Sequence, residues 1–201
     1  MNTLQNYLSL DLELNNAEDG STPNPKIIQV GVAVGTYEDY FNGTLYKEKW
    51  YIDPQEPIFP FITELTGITD DDIARNAVPH EHVAKELGAL MKARDCFVNP
   101  ITWGGGDSVE LKDEFKARGV FFPFFGRRWI DVKTWYTFLR FAKGQEAKAG
   151  LKSAMHEYKL KFDGVPHRAD DDALNTLRLF FKFLELQDEM NDVINMAKRI
   201  Q

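Results

Sequence analysis

Asp11 and Glu13 stand two residues apart in the run YLSLDLEL. In an extended strand both carboxylates leave one face, while Leu10, Leu12 and Leu14 enter the other. Two carboxylates side by side repel, which is costly in a core-forming strand unless a cation sits between them, and hard oxygen donors suit Mg2+ or Mn2+. A solvated strand face accounts for the pair equally well. A calcium loop does not, because its sixth position would be Asn16 instead of Gly and its twelfth Thr22 instead of Glu. Asp107 follows Trp103-Gly104-Gly105-Gly106 and opens a helix. Alone it reads as an N-cap, with Glu110 three residues on completing a capping-box-like pair. The three glycines allow a backbone or a ligand to approach closely, which a cap does not require. His167 begins HRADDDA, which runs into a long apolar-periodic segment. The three aspartates suit the positive end of a helix dipole, and the histidine alone would be an ordinary loop residue. A histidine just before a helix and an aspartate one turn inside it can also share a cleft as base and metal ligand.

These residues need a strand, a strand-to-helix junction and a helix start to hold them. Tyr7 to Leu14 and Lys26 to Val34 read as strands separated by the loop NNAEDGSTPNP. Asn42-Gly43, between EDYF and TLYKEKWYI, reads as a hairpin turn. From Phe59 the pattern turns helical: a short helix through FITELTG, one starting near Thr69, and one from about Glu81 to Met91. In LTGIT, Gly67 suits a helix C-terminus and Thr69 with Asp72 a capping box. CFVNPITW reads as a buried strand, followed by a helix from Asp107 to Arg118 and a short strand at WIDV. Helices follow at WYTFLRF, GLKSAMHEY and ADDDALNTLRLFFKFLEL, where Leu174, Leu177, Phe181 and Leu184 share a face. A final amphipathic helix is expected near Asp188 to Ile200, covering an edge. The sum is an α/β fold opening with an antiparallel meander, in one domain over 1–201 with its core at about 7–187.

The 201 residues are 43% hydrophobic, enough for one substantial core. The N-terminus lacks a signal-peptide pattern, and no run approaches the roughly 18 apolar residues of a membrane span. No membrane partner is therefore expected. A single cysteine, Cys96, excludes an intramolecular disulfide framework and a cysteine-rich zinc site, so a cytoplasmic location is the expectation. The formal net charge of -7 argues against coating long nucleic acid through phosphate contacts, but bound divalent cations would locally reverse the sign at an acidic site. Phe121, Phe122, Phe124 and Phe125 suit either a stacking or assembly surface or buried core.

Taken in order, Asp11-x-Glu13, Asp107 and His167-x4-Asp172 resemble the motif set of the DEDDh (DnaQ-like) 3′→5′ exonucleases. FITELTGITDDDI, WGGGD, FFPFFGRRWIDVKTWY and GLKSAMHEYKLKFDGVPHRADDDA are particularly similar to the subgroup of Eri1-type and KapD-like proteins. The similarity runs from about Tyr7 to Leu184. It implies an RNase H-like fold, a mixed five-stranded sheet flanked by helices. It also implies two divalent cations, Mg2+ or Mn2+, held by Asp11, Glu13, Asp107 and Asp172, with His167 as general base. The implied substrate is a single-stranded RNA or DNA 3′ end, with a nucleoside 5′-monophosphate as product. The resemblance further places Leu14, Leu65 and Thr66 around the terminal nucleotide, with Trp103 as a stacking or core residue. Leu14 stands where relatives often carry a small or hydroxyl residue. The triple Asp170-Asp171-Asp172 offers three candidates, of which Asp172 keeps the four-residue gap. The tyrosine class of the family is not matched, because position 162 after Tyr158 is Phe. Two other readings use the same fold: a catalytically silent nucleic-acid-binding module, and a phosphodiesterase of very short oligonucleotides.

Overall fold

A computed structural model of the chain describes residues 4–147 and 150–200, the last four by backbone alone. Strand β1 (Tyr7–Asn15) is the centre of a five-stranded sheet, and its buried Leu8, Leu10 and Leu12 alternate as the period of two requires. It pairs antiparallel with β2 (Lys26–Gly35), Asp11 opposite Gly31 and Glu13 opposite Gln29, with a register shift between Glu13 and Leu14. After helix α1 (Tyr37–Asn42), β3 (Tyr46–Tyr51) adds antiparallel to the far side of β2. Helices α2 (Pro60–Thr66), α3 (Asp70–Asn76) and α4 (His80–Ala93) lead to β4 (Ile101–Thr102), which runs parallel to β1. Helix α5 (Gly106–Ala117) then leads to β5 (Ile130–Asp131), parallel to β4, so the order is β3-β2-β1-β4-β5. Helices α6 (Val132–Ala142), α7 (Leu151–Glu157) and α8 (Ala169–Ile200) complete the described chain.

Two hydrophobic clusters sandwich the sheet. Leu8, Leu10, Val30 and Val32 meet Val83 and Leu87 of α4 and Leu111 and Phe115 of α5 on one side. On the other, Ala33 and Ile101 meet Tyr136, Met155, Leu177 and Phe181 from α6, α7 and α8. Among the described residues no helix is long and apolar enough to cross a membrane.

Three expectations about elements are corrected. The segment before Asn42-Gly43 is helix α1 instead of a hairpin strand. Thr36 and Asp39 form a capping box at its start, and Gly43 at φ 69 closes its end with its N–H on the carbonyls of Asp39 and Tyr40. The strand expected over CFVNPITW shrinks to Ile101–Thr102, and Val98 is half exposed. The helix expected at 188–200 is the continuation of α8, whose 32 residues run without a break past Leu186.

One close approach fixes how α8 meets the sheet. A Cβ on Gly31 would lie 2.0 Å from the carbonyl carbon of Ala169, so the start of α8 rests directly on β2. The buried Gln29 side chain accepts the Ala169 N–H at 2.9 Å, satisfying one unpaired donor of the first turn. Gly31→Ala should therefore lower stability by about 3 kcal/mol in urea unfolding. An unchanged midpoint would contradict this docking.

Candidate active site

Strand periodicity puts Asp11 and Glu13 on the side of the sheet that faces α8, away from the leucines buried against α4 and α5. Gln29 and Gly31 bring the first turn of α8 over that side, and Asp172 lies in this turn. Carboxylate oxygens of Asp11, Glu13 and Asp172 all come within 4.8 Å of one another.

The other two aspartates of the triple are committed elsewhere. Asp170 takes ion pairs from Lys49 at 3.0 Å and Lys47 at 3.2 Å, both on β3. Asp171 pairs with Lys47 and accepts the Val165 N–H at 2.8 Å. Asp172 accepts the His167 N–H at 2.8 Å, holding that residue at φ 61, a left-handed conformation unusual for a side chain other than glycine. The exposed His167 side chain thereby joins Asp11, Glu13 and Asp172 in lining one cleft of about 370 Å3.

Asp107 is not the N-cap of α5. Gly105 holds that position with no side-chain cap, and Gly104 takes φ 111, which only glycine adopts readily. Space is open around Gly105 and Gly106, so no neighbouring backbone accounts for them. The Asp107 carboxylate instead accepts hydrogen bonds from its own N–H and from that of Leu12, which draws it towards β1.

Burial pushes all four carboxyls up, and for Asp11 and Glu13 the charges of the neighbouring carboxylates add to it. Desolvation, then Asp107, Glu13 and Asp172, hold Asp11 well above the usual carboxylate range. Desolvation with Asp172 and Asp107 raises Glu13 to about 8, against the opposing charge of Arg168. Desolvation raises Asp107 to about 7 against its two backbone donors, and Asp172 to about 6 against the N–H of His167. Such a set of hard, crowded oxygens fits divalent cations, which would replace the protons the cluster otherwise retains.

Trp103 also lines the cleft and tilts against Tyr136 at 5.8 Å between ring centroids. Leu14, Leu65 and Thr66 do not line it. Leu14 packs against the first core, and Leu65 on α2 is 39% exposed. The buried Thr66 hydroxyl donates to the Ile62 carbonyl at 2.8 Å and accepts the Ile68 N–H at 3.0 Å. Sequence reasoning missed Lys152 and Ser153, which enter the cleft from the start of α7. It also missed Arg168, which bonds the Gly67 carbonyl at 3.3 Å and the Tyr51 hydroxyl at 3.4 Å. The i, i+2 spacing of Lys47 and Lys49 in a strand was the available signal for the partners of Asp170 and Asp171.

The family model described as Exonuclease (RNase_T) matches residues 8–180. The chain belongs to this exonuclease family. That membership places it among hydrolytic nucleases. It is 24% identical over 145 residues to 3'-5' exoribonuclease 1 of Rattus norvegicus, covering 67% of this chain and 40% of that protein. It is 27% identical over 197 residues to ERI1 exoribonuclease 2 of Danio rerio, covering 85% of this chain and 33% of that protein. The chain thus spans well under half the length of these relatives. Among solved structures, the nuclease domain of 3'hExo, a DEDDh family member bound to rAMP, superposes with a TM-score of 0.74 at 21% identity. That match covers 90% of this chain and 92% of that one. Cell-death related nuclease 4 (CRN-4) superposes with a TM-score of 0.75 at 16% identity, over 92% of this chain and 65% of that one. The RNase H-like sheet flanked by helices is shared with these structures.

The raised carboxyls fix the sign of a stability effect. Folded pKa values of about 6 to 8 exceed the ordinary unfolded values, about 4, so the folded state binds more protons between them. The contribution of these groups is full below about pH 4 and declines as pH rises through about 6 to 8. In chelator at pH 8, Asp11→Asn should stabilise by about 1–3 kcal/mol. Mn2+ should raise the Tm of the parent chain more than that of the variant. A lower Tm for Asp11→Asn in chelator would contradict the repulsive cluster.

Proposed function

We propose that the chain is a metal-dependent 3′→5′ exonuclease that hydrolyses phosphodiester bonds at single-stranded RNA 3′ ends, with DNA as a second substrate, releasing nucleoside 5′-monophosphates. The observation that carries this reading is the convergence of Asp11, Glu13 and Asp172 within 4.8 Å in a cleft that His167 also lines. RNA is put first because the named relatives are exoribonucleases.

Asp11, Glu13, Asp107 and Asp172 are assigned to hold Mg2+ or Mn2+, two ions in our reading. The cations would supply Lewis-acid stabilisation of charge on the scissile phosphate and lower the pKa of the attacking water. A ring nitrogen of His167 takes the proton from that water as its oxygen attacks phosphorus, and the leaving 3′ oxygen departs on the far side. The left-handed backbone at His167, tied to Asp172, couples the position of the base to that of a ligand carboxylate. Lys152, which lines the cleft, is assigned to meet a phosphate oxygen. Of the residues expected around the terminal nucleotide, Trp103 lines the cleft and is assigned to border it. Thr66 is assigned a shaping role in α2, because its hydroxyl is already committed.

A 5′-labelled RNA incubated with Mg2+ or Mn2+ should shorten from its 3′ end in a ladder, and chelator should stop it. His167→Asn keeps a residue that tolerates left-handed backbone while removing the base, and should lower kcat by about 10²- to 10⁴-fold. Asp172→Asn should be at least as damaging, because it weakens both the cation site and the hold on residue 167. A blocked 3′-hydroxyl should stall the reaction. Cleavage of the blocked strand would point to an endonuclease, and metal-independent inertness of the parent chain to a silent binding module.

A further inference from the structure

The aromatic run after α5 divides into two uses. Phe122 stacks on Phe125 at 5.4 Å, Phe125 meets Trp129 at 5.3 Å, and these rings with Phe124 pack against the first core. Phe121 stands outside that stack with 63% of its surface exposed. It borders an open, mainly apolar pocket of about 380 Å3 whose rim carries Lys112, Lys116 and Arg127. Among the described residues none of these three cations has a carboxylate partner. Lys112 instead sits 4.9 Å from the centre of the Trp129 ring. Beyond Asp107, the acidic residues of the same helix, Glu110, Asp113 and Glu114, line a different hollow beside Lys26. Helix α5 therefore sorts its charges, keeping its lysines on the aromatic side.

In a chain of net charge -7, an exposed ring beside three cations without carboxylate partners is complementary to a ligand that combines a flat base with phosphate. Two stretches of chain join this pocket to the carboxylate site. Helix α5 opens beside Asp107 and rises about 1.5 Å per residue, so Lys112 and Lys116 lie about 8 and 14 Å further along its axis. After Arg127 the chain reaches Asp131 of β5, whose charge acts on Asp107. The pocket and the carboxylate site thus share helix α5, its lysines about 8 to 14 Å along the axis from Asp107.

We propose that this pocket binds an upstream nucleotide of the strand whose 3′ end occupies the cleft, its base on Phe121 and its phosphates against Lys112, Lys116 and Arg127. The proposal rests on the exonuclease reading and adds to it a length preference. Stacking and phosphate binding there would lower KM for strands long enough to reach the pocket, leaving the chemical step unchanged.

The test measures kcat and KM on 5′-labelled RNA of about three and about twelve nucleotides, for the parent chain, Lys112→Glu/Lys116→Glu and Phe121→Ala. The parent chain should show the lower KM for the longer strand. The double variant should raise that KM about tenfold and Phe121→Ala about fivefold, with kcat and the short strand unchanged. Lys112→Arg/Lys116→Arg should restore the length preference. Because the double variant no longer neutralises two phosphates, its slope of log KM against log salt on the longer strand should fall by about 1.4. Equal parent KM values for both lengths, or variants that affect both alike, would overturn the proposal and leave the exonuclease reading standing. Absence of cleavage at either length by the parent chain would remove that reading and the proposal with it. If the variants sediment as a smaller species while keeping the length preference, the patch joins copies of this chain and the proposal is wrong.

Discussion

Four carboxylates crowded beside one face of a sheet repel one another, and the rest of the fold is arranged to hold them there. Strand β1 sets Asp11 and Glu13 on one side by its period of two and anchors them through leucines buried on the other. The missing side chain at Gly31 lets α8 descend onto β2, and Gln29 caps the incoming helix. Asp172 then has no distance left to yield to Asp11 and Glu13. The Asp107 carboxylate is held towards β1 by the Leu12 N–H. Burial of these carboxyls, with the charges of neighbouring carboxylates at Asp11 and Glu13, raises their pKa values.

The first turn of α8 shows how charge can be crowded without dispersing. Three consecutive aspartates suit the dipole of the helix start, yet only one belongs to the cluster. Lys47 and Lys49 neutralise Asp170 and Asp171 on the β3 side, leaving Asp172 without a lysine partner. The His167 backbone is fixed by the same carboxylate, so the positions of His167 and Asp172 are tied together.

Local signals made the residues that converge at the cleft legible in the sequence. A two-residue gap in a strand, a glycine-rich helix entry and a histidine five positions before an aspartate at a helix start each encode a direction of projection. Their order along the chain matched a family, which the match over residues 8–180 bears out. The hairpin expected at Asn42-Gly43 failed because that dipeptide serves both a hairpin turn and a left-handed helix end, and the Thr36–Asp39 capping box decides between them. The expected break at 187 failed for another reason. The apolar pattern fades where α8 leaves the body of the protein, while no glycine or proline interrupts the helix. The hydrogen bonds and ion pairs that set the site, Gln29 to Ala169 and Lys47 to Asp171, join residues more than a hundred positions apart and leave no local trace. Thr66 could not be judged from sequence either, since its hydroxyl partners depend on how α2 ends.

The central claim is that cations replace protons in this cluster, and calorimetry tests it most directly. Mn2+ would be titrated into the chain near pH 7 in buffers of different ionisation enthalpy, giving both the binding and the number of protons released. Binding should come with net proton release at pH 7, falling towards zero as pH rises above about 8 and the carboxyls ionise beforehand. Binding without proton release at pH 7, or no binding at all, would contradict it.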